Sequence, residues 1–108
     1  MKEIPPPKAD ADRDFESTVF SAELGGAEEV DLHGQTVNVA KAELESFLHH
    51  AFMSGIEVVK IIHGRGEQKL EQMVKAVLEQ ESIIEYFRTS QNQAETNGVM
   101  YAVIAKRK

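Results

Sequence analysis

Ile56-Glu57-Val58-Val59-Lys60-Ile61-Ile62-His63-Gly64-Arg65-Gly66 is the stretch on which the reading of the fold turns. Its first seven residues, Ile56 to Ile62, are mostly β-branched and apolar, as in a buried strand. Beyond the glycines, Leu70, Met73, Val74, Val77 and Leu78 recur at helical spacing within Glu67 to Glu79. Strand, glycine turn and helix therefore follow one another, with a histidine at the strand's exit. Two glycines let a backbone come close to a ligand, and the N–H groups of a helix's first turn suit an anion such as phosphate.

Upstream, Val30-Asp31-Leu32-His33-Gly34 repeats the theme: a short strand, about Glu28 to His33, ending in histidine and glycine. Between the two lies helix A, about Thr36 to Ser54. Val37, Ala40, Leu44, Phe47, Leu48 and Ala51 form its buried stripe, with Thr36 as N-cap and Gly55 at its C-terminal end. Downstream, Ile83 to Arg88 reads as strand three. The polar stretch Ser90 to Gly98 reads as a loop and Val99 to Ala105 as strand four. The order β-α-β-α-β-β predicts an α/β two-layer sandwich, a mixed four-stranded sheet with two helices on one face. A hairpin makes strand four antiparallel. The other sheet face then lacks helices and is left for the leader or a partner.

If strands one and two are parallel neighbours, His33 and His63 leave the same sheet edge, where open α/β sheets place ligands. Asp31 and His33, two apart on a strand, share a face. A carboxylate, two imidazoles, a glycine turn and Arg65 suit phosphodiester chemistry. One histidine deprotonates a nucleophile, and the other, or Arg65, meets the charge on phosphorus. Asp31 orients a histidine or helps bind a divalent cation, magnesium or manganese. Against this stands the plainer reading, in which Asp31 caps a turn and each histidine is a satisfied polar residue. Lys60, Lys69 and Lys106-Arg107-Lys108 are candidate phosphate contacts. His49 and His50, outside any motif, read as a solvated patch. Only an exposed Tyr86, Tyr101 or Phe87 would give a base-stacking platform.

The two motifs, in this order and at this spacing, resemble those of the Smr (small MutS-related) domain family over about residues 28 to 105. Val30-Asp31-Leu32-His33-Gly34 is similar to its first motif, leucine-aspartate-leucine-histidine-glycine. Ile61-Ile62-His63-Gly64-Arg65-Gly66 is similar to its second, histidine-glycine-x-glycine-x-glycine. The resemblance implies a two-layer α/β fold like the C-terminal domain of translation initiation factor three. It also implies binding of DNA or RNA, with nicking or endoribonuclease activity in several members. Carried over by position, Asp31, His33 and His63 are the catalytic candidates. Gly34, Gly64 and Gly66 are substrate-binding candidates, joined from the bottom-up reading by Arg65 and Lys69. Two positions depart from the pattern. Gln68 stands where the second motif's last glycine falls, and the glycine-rich third motif is reduced to Asn97-Gly98. The alternatives to a nuclease are thus a non-catalytic nucleic-acid-binding module and a protein-interaction module.

The totals fit these readings. The chain has 108 residues and no cysteine, enough for one domain with a tail and without a disulfide framework. The net charge of −6 is uneven: residues 1–30 hold eight acids and three bases, residues 31–108 ten acids and nine bases. Residues 31–108, most of the 28–108 domain, are thus near neutral, which is compatible with a local basic patch. Residues 1–27 read as an acidic leader or linker, opening on Pro5-Pro6-Pro7. Its hydrophobes Phe15, Val19, Phe20 and Leu24 dock on the domain, or form a short helix that covers a sheet edge or meets a protein partner. No run has signal-peptide or membrane-spanning length, so the expected location is cytoplasmic, with no membrane partner.

Overall fold

A computed structural model of the chain describes residues 14–66, 68–95 and 97–107. The proline run, Lys108 and the expected start of helix B at Glu67 lie outside the described residues. The elements are α1 (Phe15–Gly25), β1 (Glu28–Asp31), α2 (Val37–Met53), β2 (Val58–Ile62), α3 (Gln68–Gln80), β3 (Ile84–Thr89) and β4 (Val99–Ile104). The sheet order is β1-β2-β4-β3, with β1 and β2 parallel and β4 antiparallel to both its neighbours. The mixed four-stranded sheet and the β-α-β-α-β-β order are as the sequence predicts.

Alternation along the strands sorts side chains between the two sheet faces. Val59 and Ile61 of β2 and Met100, Ala102 and Ile104 of β4 pack with the buried stripes of α2 and α3. Those stripes are Ala40, Leu44, Leu48 and Ala51, and Leu70, Met73, Val74, Val77 and Leu78. Val99, Tyr101 and Val103 point the other way, against Phe15, Val19 and Ala22 of α1. β4 is central and covered on both faces, so all six of its residues are buried. That is why it is a continuous apolar run in the sequence.

The leader's hydrophobes thus form a helix that lies across the sheet's second face rather than along an edge. Asp14 caps it, accepting from Ser17 N at 3.0 Å. Phe15 stacks on Tyr86 of β3, with ring centroids 5.5 Å apart. Phe20 and Leu24, on the outer side of α1, stay exposed.

Both early strands are shorter than the apolar runs suggest, and backbone hydrogen bonds explain it. After α2, Ile56 N bonds Ala51 O at 3.0 Å and Gly55 N bonds Phe52 O at 3.2 Å, with Gly55 at φ +77°. This Schellman cap occupies Ile56, so β2 begins at Val58. β1 ends at Asp31 because its carboxylate accepts from His33 N at 3.1 Å, turning the chain towards α2. Thr36 then caps α2, accepting from Val39 N at 3.3 Å.

Candidate functional site

The parallel register puts the C-terminal ends of β1 and β2 side by side. Asp31 lies opposite Ile62, and Leu32 N donates to Ile62 O at 2.7 Å. Asp31 and His33 meet there, through a turn rather than along a strand. Asp31 Oδ1 accepts from His33 N and also, at 2.7 Å, from the imidazole Nδ1. These bonds hold the Asp31 carboxyl below the usual carboxylate range, with the side-chain bond from His33 the largest cause. An ionised carboxylate only accepts, so Nδ1 carries a proton, and in the neutral ring Nε2 is the acceptor nitrogen. The His33 side chain is 66% exposed. The pair is therefore an exposed imidazole oriented by a carboxylate. Gly34, at φ +79°, continues the turn in a conformation that L side chains rarely adopt.

His63 does not join them. The register places Asp31 on the face of Ile62, towards the α1 cluster, while His63 follows on the face of Ile61, towards α3. It is 1% exposed. Its Nδ1 donates to Gly64 O at 3.2 Å, and its Nε2 is buried without a hydrogen-bond partner among the described residues. Burial pushes its pKa down, outweighing the opposing pull of Glu71 and of the Gly64 carbonyl. The second histidine is thus a neutral interior residue. The expectation that two parallel strand ends bring two imidazoles together fails because the side chains leave on opposite faces.

The turn after β2 is fastened to the β3–β4 loop. Gly98 O accepts from His63 N at 2.9 Å and from Gly64 N at 3.1 Å. Arg65 is exposed, and its Nη2 donates to Ala94 O at 3.3 Å. Gly64 and Gly66 sit at φ +95° and +75°, so the turn needs both glycines. The reduced third motif has a use here. Asn97 takes φ +71°, and the missing side chain of Gly98 lets the loop seat against Gly64 and Arg65. Lys69 is exposed on the first turn of α3. Two cations, Arg65 and Lys69, are thus exposed around this turn and the start of α3, while the His63 and Gly64 amides are already engaged.

Other candidates resolve differently. Lys60 is paired with Glu95 and Glu29 rather than offered to a phosphate. His49 and His50 are exposed on α2, as expected of a solvated patch. Tyr101 is buried, and Tyr86 and Phe87 are packed against the two cores, so none of them forms an open stacking platform.

Sequence reasoning missed a polar network around the β3–β4 loop. Arg88 of β3 bonds Glu23 of α1 through both terminal nitrogens, at 2.8 and 3.1 Å, and Glu16 through Nε at 2.9 Å. Glu23 also accepts from Ser90 Oγ at 3.2 Å and from Gln91 N at 2.8 Å. Glu95 accepts from Tyr101 Oη at 2.9 Å, and the single Ser90 hydroxyl proton is shared between Glu95, also at 2.9 Å, and Glu23. The Arg88 bonds hold the Glu23 carboxyl below its ordinary range. Burial raises the Glu95 carboxyl, but Lys60, Ser90 and Tyr101 outweigh it and bring it down. The available signal was an arginine ending a mostly apolar predicted strand, in a chain with an acidic leader.

The Smr domain model matches residues 30–105. Endonuclease MutS2 of Aquifex aeolicus is 32% identical over 92 residues, covering 85% of this chain and 12% of that protein. Endonuclease MutS2 of Halothermothrix orenii is 33% identical over 73 residues, covering 68% of this chain and 9% of that protein. The chain thus spans about a tenth of these relatives. The crystal structure of the Smr domain of Thermus thermophilus MutS2 superposes with a TM-score of 0.68 at 28% identity, covering 71% of this chain and 96% of that one. YdaL, a stand-alone small MutS-related protein from Escherichia coli, has the same fold. Its TM-score is 0.73 at 20% identity, over 84% of this chain and 76% of that one.

Proposed function

The chain belongs to the Smr domain family, and from that premise we propose that it binds nucleic acid at the β1–β2 sheet edge and cuts a phosphodiester there. The carrying observation is the exposed Asp31–His33 pair, an imidazole whose tautomer and direction are set by a carboxylate. His33 Nε2 takes the proton of water, or of a ribose 2′-hydroxyl, as its oxygen attacks phosphorus. Asp31 stabilises the imidazolium that forms. The P–O bond opposite the nucleophile breaks, and solvent protonates the leaving oxygen. Arg65, Lys69 and the start of α3 face the phosphate charge, with Gly34, Gly64 and Gly66 allowing close approach of its backbone. His63 supports the turn from inside, as a positioning residue. Among the described residues no three His, Cys, Asp or Glu side chains gather as a candidate cation site. No helix among them is long and apolar enough to cross a membrane.

A second reading, binding without cleavage, is favoured by one observation: the Gly98 carbonyl already occupies the His63 and Gly64 amides. One experiment separates the two. Purified protein is incubated with labelled single-stranded RNA, supercoiled DNA and branched DNA, in magnesium, manganese or chelator. Cleavage that falls ~100-fold or more in His33→Ala, with an unchanged melting temperature, is the expected result. Binding with no product in any condition selects the second reading. Neither binding nor cleavage overturns both.

A further inference from the structure

We propose that Glu23, on α1, is a positioning residue for the nucleic-acid edge: it holds the β3–β4 loop in the place from which Gly98 fastens the His63–Gly64 turn. The consequence for binding rests on the function proposed above; the mechanical coupling does not.

The coupling is an unbroken line of hydrogen bonds. Glu23 Oε2 accepts from Gln91 N at 2.8 Å and from Ser90 Oγ at 3.2 Å, which grips the loop where it leaves β3. Ser90 Oγ in turn accepts from Asn92 N at 3.1 Å and lies 2.9 Å from Glu95 Oε1. Within the loop, Glu95 N donates to Asn92 O at 2.8 Å, and Gly98 N donates to Glu95 O at 3.1 Å. Gly98 O then receives the amides of His63 and Gly64. Displacing Glu23 removes the side-chain grip on Ser90 and Gln91, and the loop is then left to the Ser90 N bond to Val99 O at 2.9 Å and to the hold of Lys60 and Tyr101 on Glu95.

Burial makes the grip firm. The Glu23 side chain is 5% exposed and that of Arg88 12% exposed, and Ser90 is buried. A carboxylate so placed keeps its geometry only with its partners, because leaving it uncompensated in the interior is strongly unfavourable. Arg88 supplies the charge, and the two loop donors take what remains of the carboxylate's accepting capacity. Glu23 thus does more than pair with Arg88. An arginine needs only a counter-ion, whereas this carboxylate also fixes two consecutive residues of the loop, Ser90 and Gln91.

The isosteric variant Glu23→Gln keeps the shape and loses the charge-assisted bonds. Ser90→Ala removes the hydroxyl link while leaving the Arg88–Glu23 pair intact. The readout is amide hydrogen exchange on the full chain, without nucleic acid. Exchange at His63 and Gly64 should accelerate ~10-fold or more in both variants, while the amides of α2 and the centre of β4 keep their protection. Unchanged exchange at His63 and Gly64 in the two variants overturns the proposal. If Glu23→Gln loses protection everywhere, it has unfolded and Ser90→Ala alone decides. The second arm measures affinity for labelled single-stranded RNA and DNA. Faster exchange with affinity lowered by ~10-fold supports the coupling and its consequence together. Faster exchange with unaltered affinity refutes the positioning role. A wild-type protein that binds neither nucleic acid refutes the proposed function, and the exchange arm still stands or falls by itself.

Discussion

Gly98→Ala tests how closely the loop must seat on the turn. A Cβ at Gly98 would stand 3.3 Å from the Arg65 amide nitrogen, 3.4 Å from Arg65 Cγ and 3.5 Å from the Gly64 carbonyl carbon. Two of these are backbone atoms of a turn that positive φ angles at Gly64 and Gly66 already constrain. Relief therefore falls to the loop, which must withdraw by roughly 0.3 Å. That stretches the bonds from His63 N and Gly64 N to Gly98 O from 2.9 and 3.1 Å to about 3.2 and 3.4 Å, the second beyond the usual range. Weakening one bond and largely losing another costs ~1.5 kcal/mol. Alanine's smaller unfolded-state entropy offsets ~0.5 kcal/mol of this, for a net loss of ~1 kcal/mol. Gly25→Ala is the control, since nothing lies within 4 Å of the added carbon and its φ is not positive. It should be neutral or slightly stabilising. Urea denaturation of the two variants beside wild type reads both effects. Gly98→Ala as stable as Gly25→Ala would refute the close-seating account.

Two further outcomes follow from buried charge. Arg88→Met strands the Glu23 carboxylate and should cost ~3 kcal/mol in urea denaturation. Adding Glu23→Leu should recover a large part of it, and a single-variant loss below ~1 kcal/mol would show the pair to be effectively solvated. The second outcome concerns His63, whose folded-state pKa is depressed by burial. The unfolded chain then binds more protons than the native one as pH falls through ~6.5, so native stability declines from there until the folded pKa is passed. His63→Gln should flatten the wild-type slope between about pH 7 and 5, and an identical slope in the two proteins would contradict the interior placement.

Much of the fold was legible because its signals are local. β-branched runs, the apolar stripes of α2 and α3, the Thr36 cap and the Gly55 stop each act within a few residues. Each agrees with the structure to within a residue or two. The leader was harder. Phe15, Val19 and Ala22 face one way, but Phe20 and Leu24 are apolar on the opposite side, so periodicity alone does not mark a buried stripe. What makes α1 a helix with a buried face is the apolar surface of Val99, Tyr101 and Val103, supplied from the far end of the chain.

The sequence by itself determined the β-α-β-α-β-β order and the family. It set Asp31 two residues from His33 while leaving open whether that carboxylate orients the imidazole or caps a turn; in the structure it does both. Only the tertiary structure decided which face each histidine takes. The pairing of Asp31 with Ile62 rather than with His63 sends one imidazole to solvent and the other under α3. A shift of one residue in that register would place Asp31 beside His63 on one face, and nothing in either motif fixes the register in advance. The same holds for Glu23 and Arg88, 65 residues apart in the chain. Their bond exists because α1 packs on the sheet face that carries Arg88, which brings Glu23, and Glu16 with it, to the guanidinium.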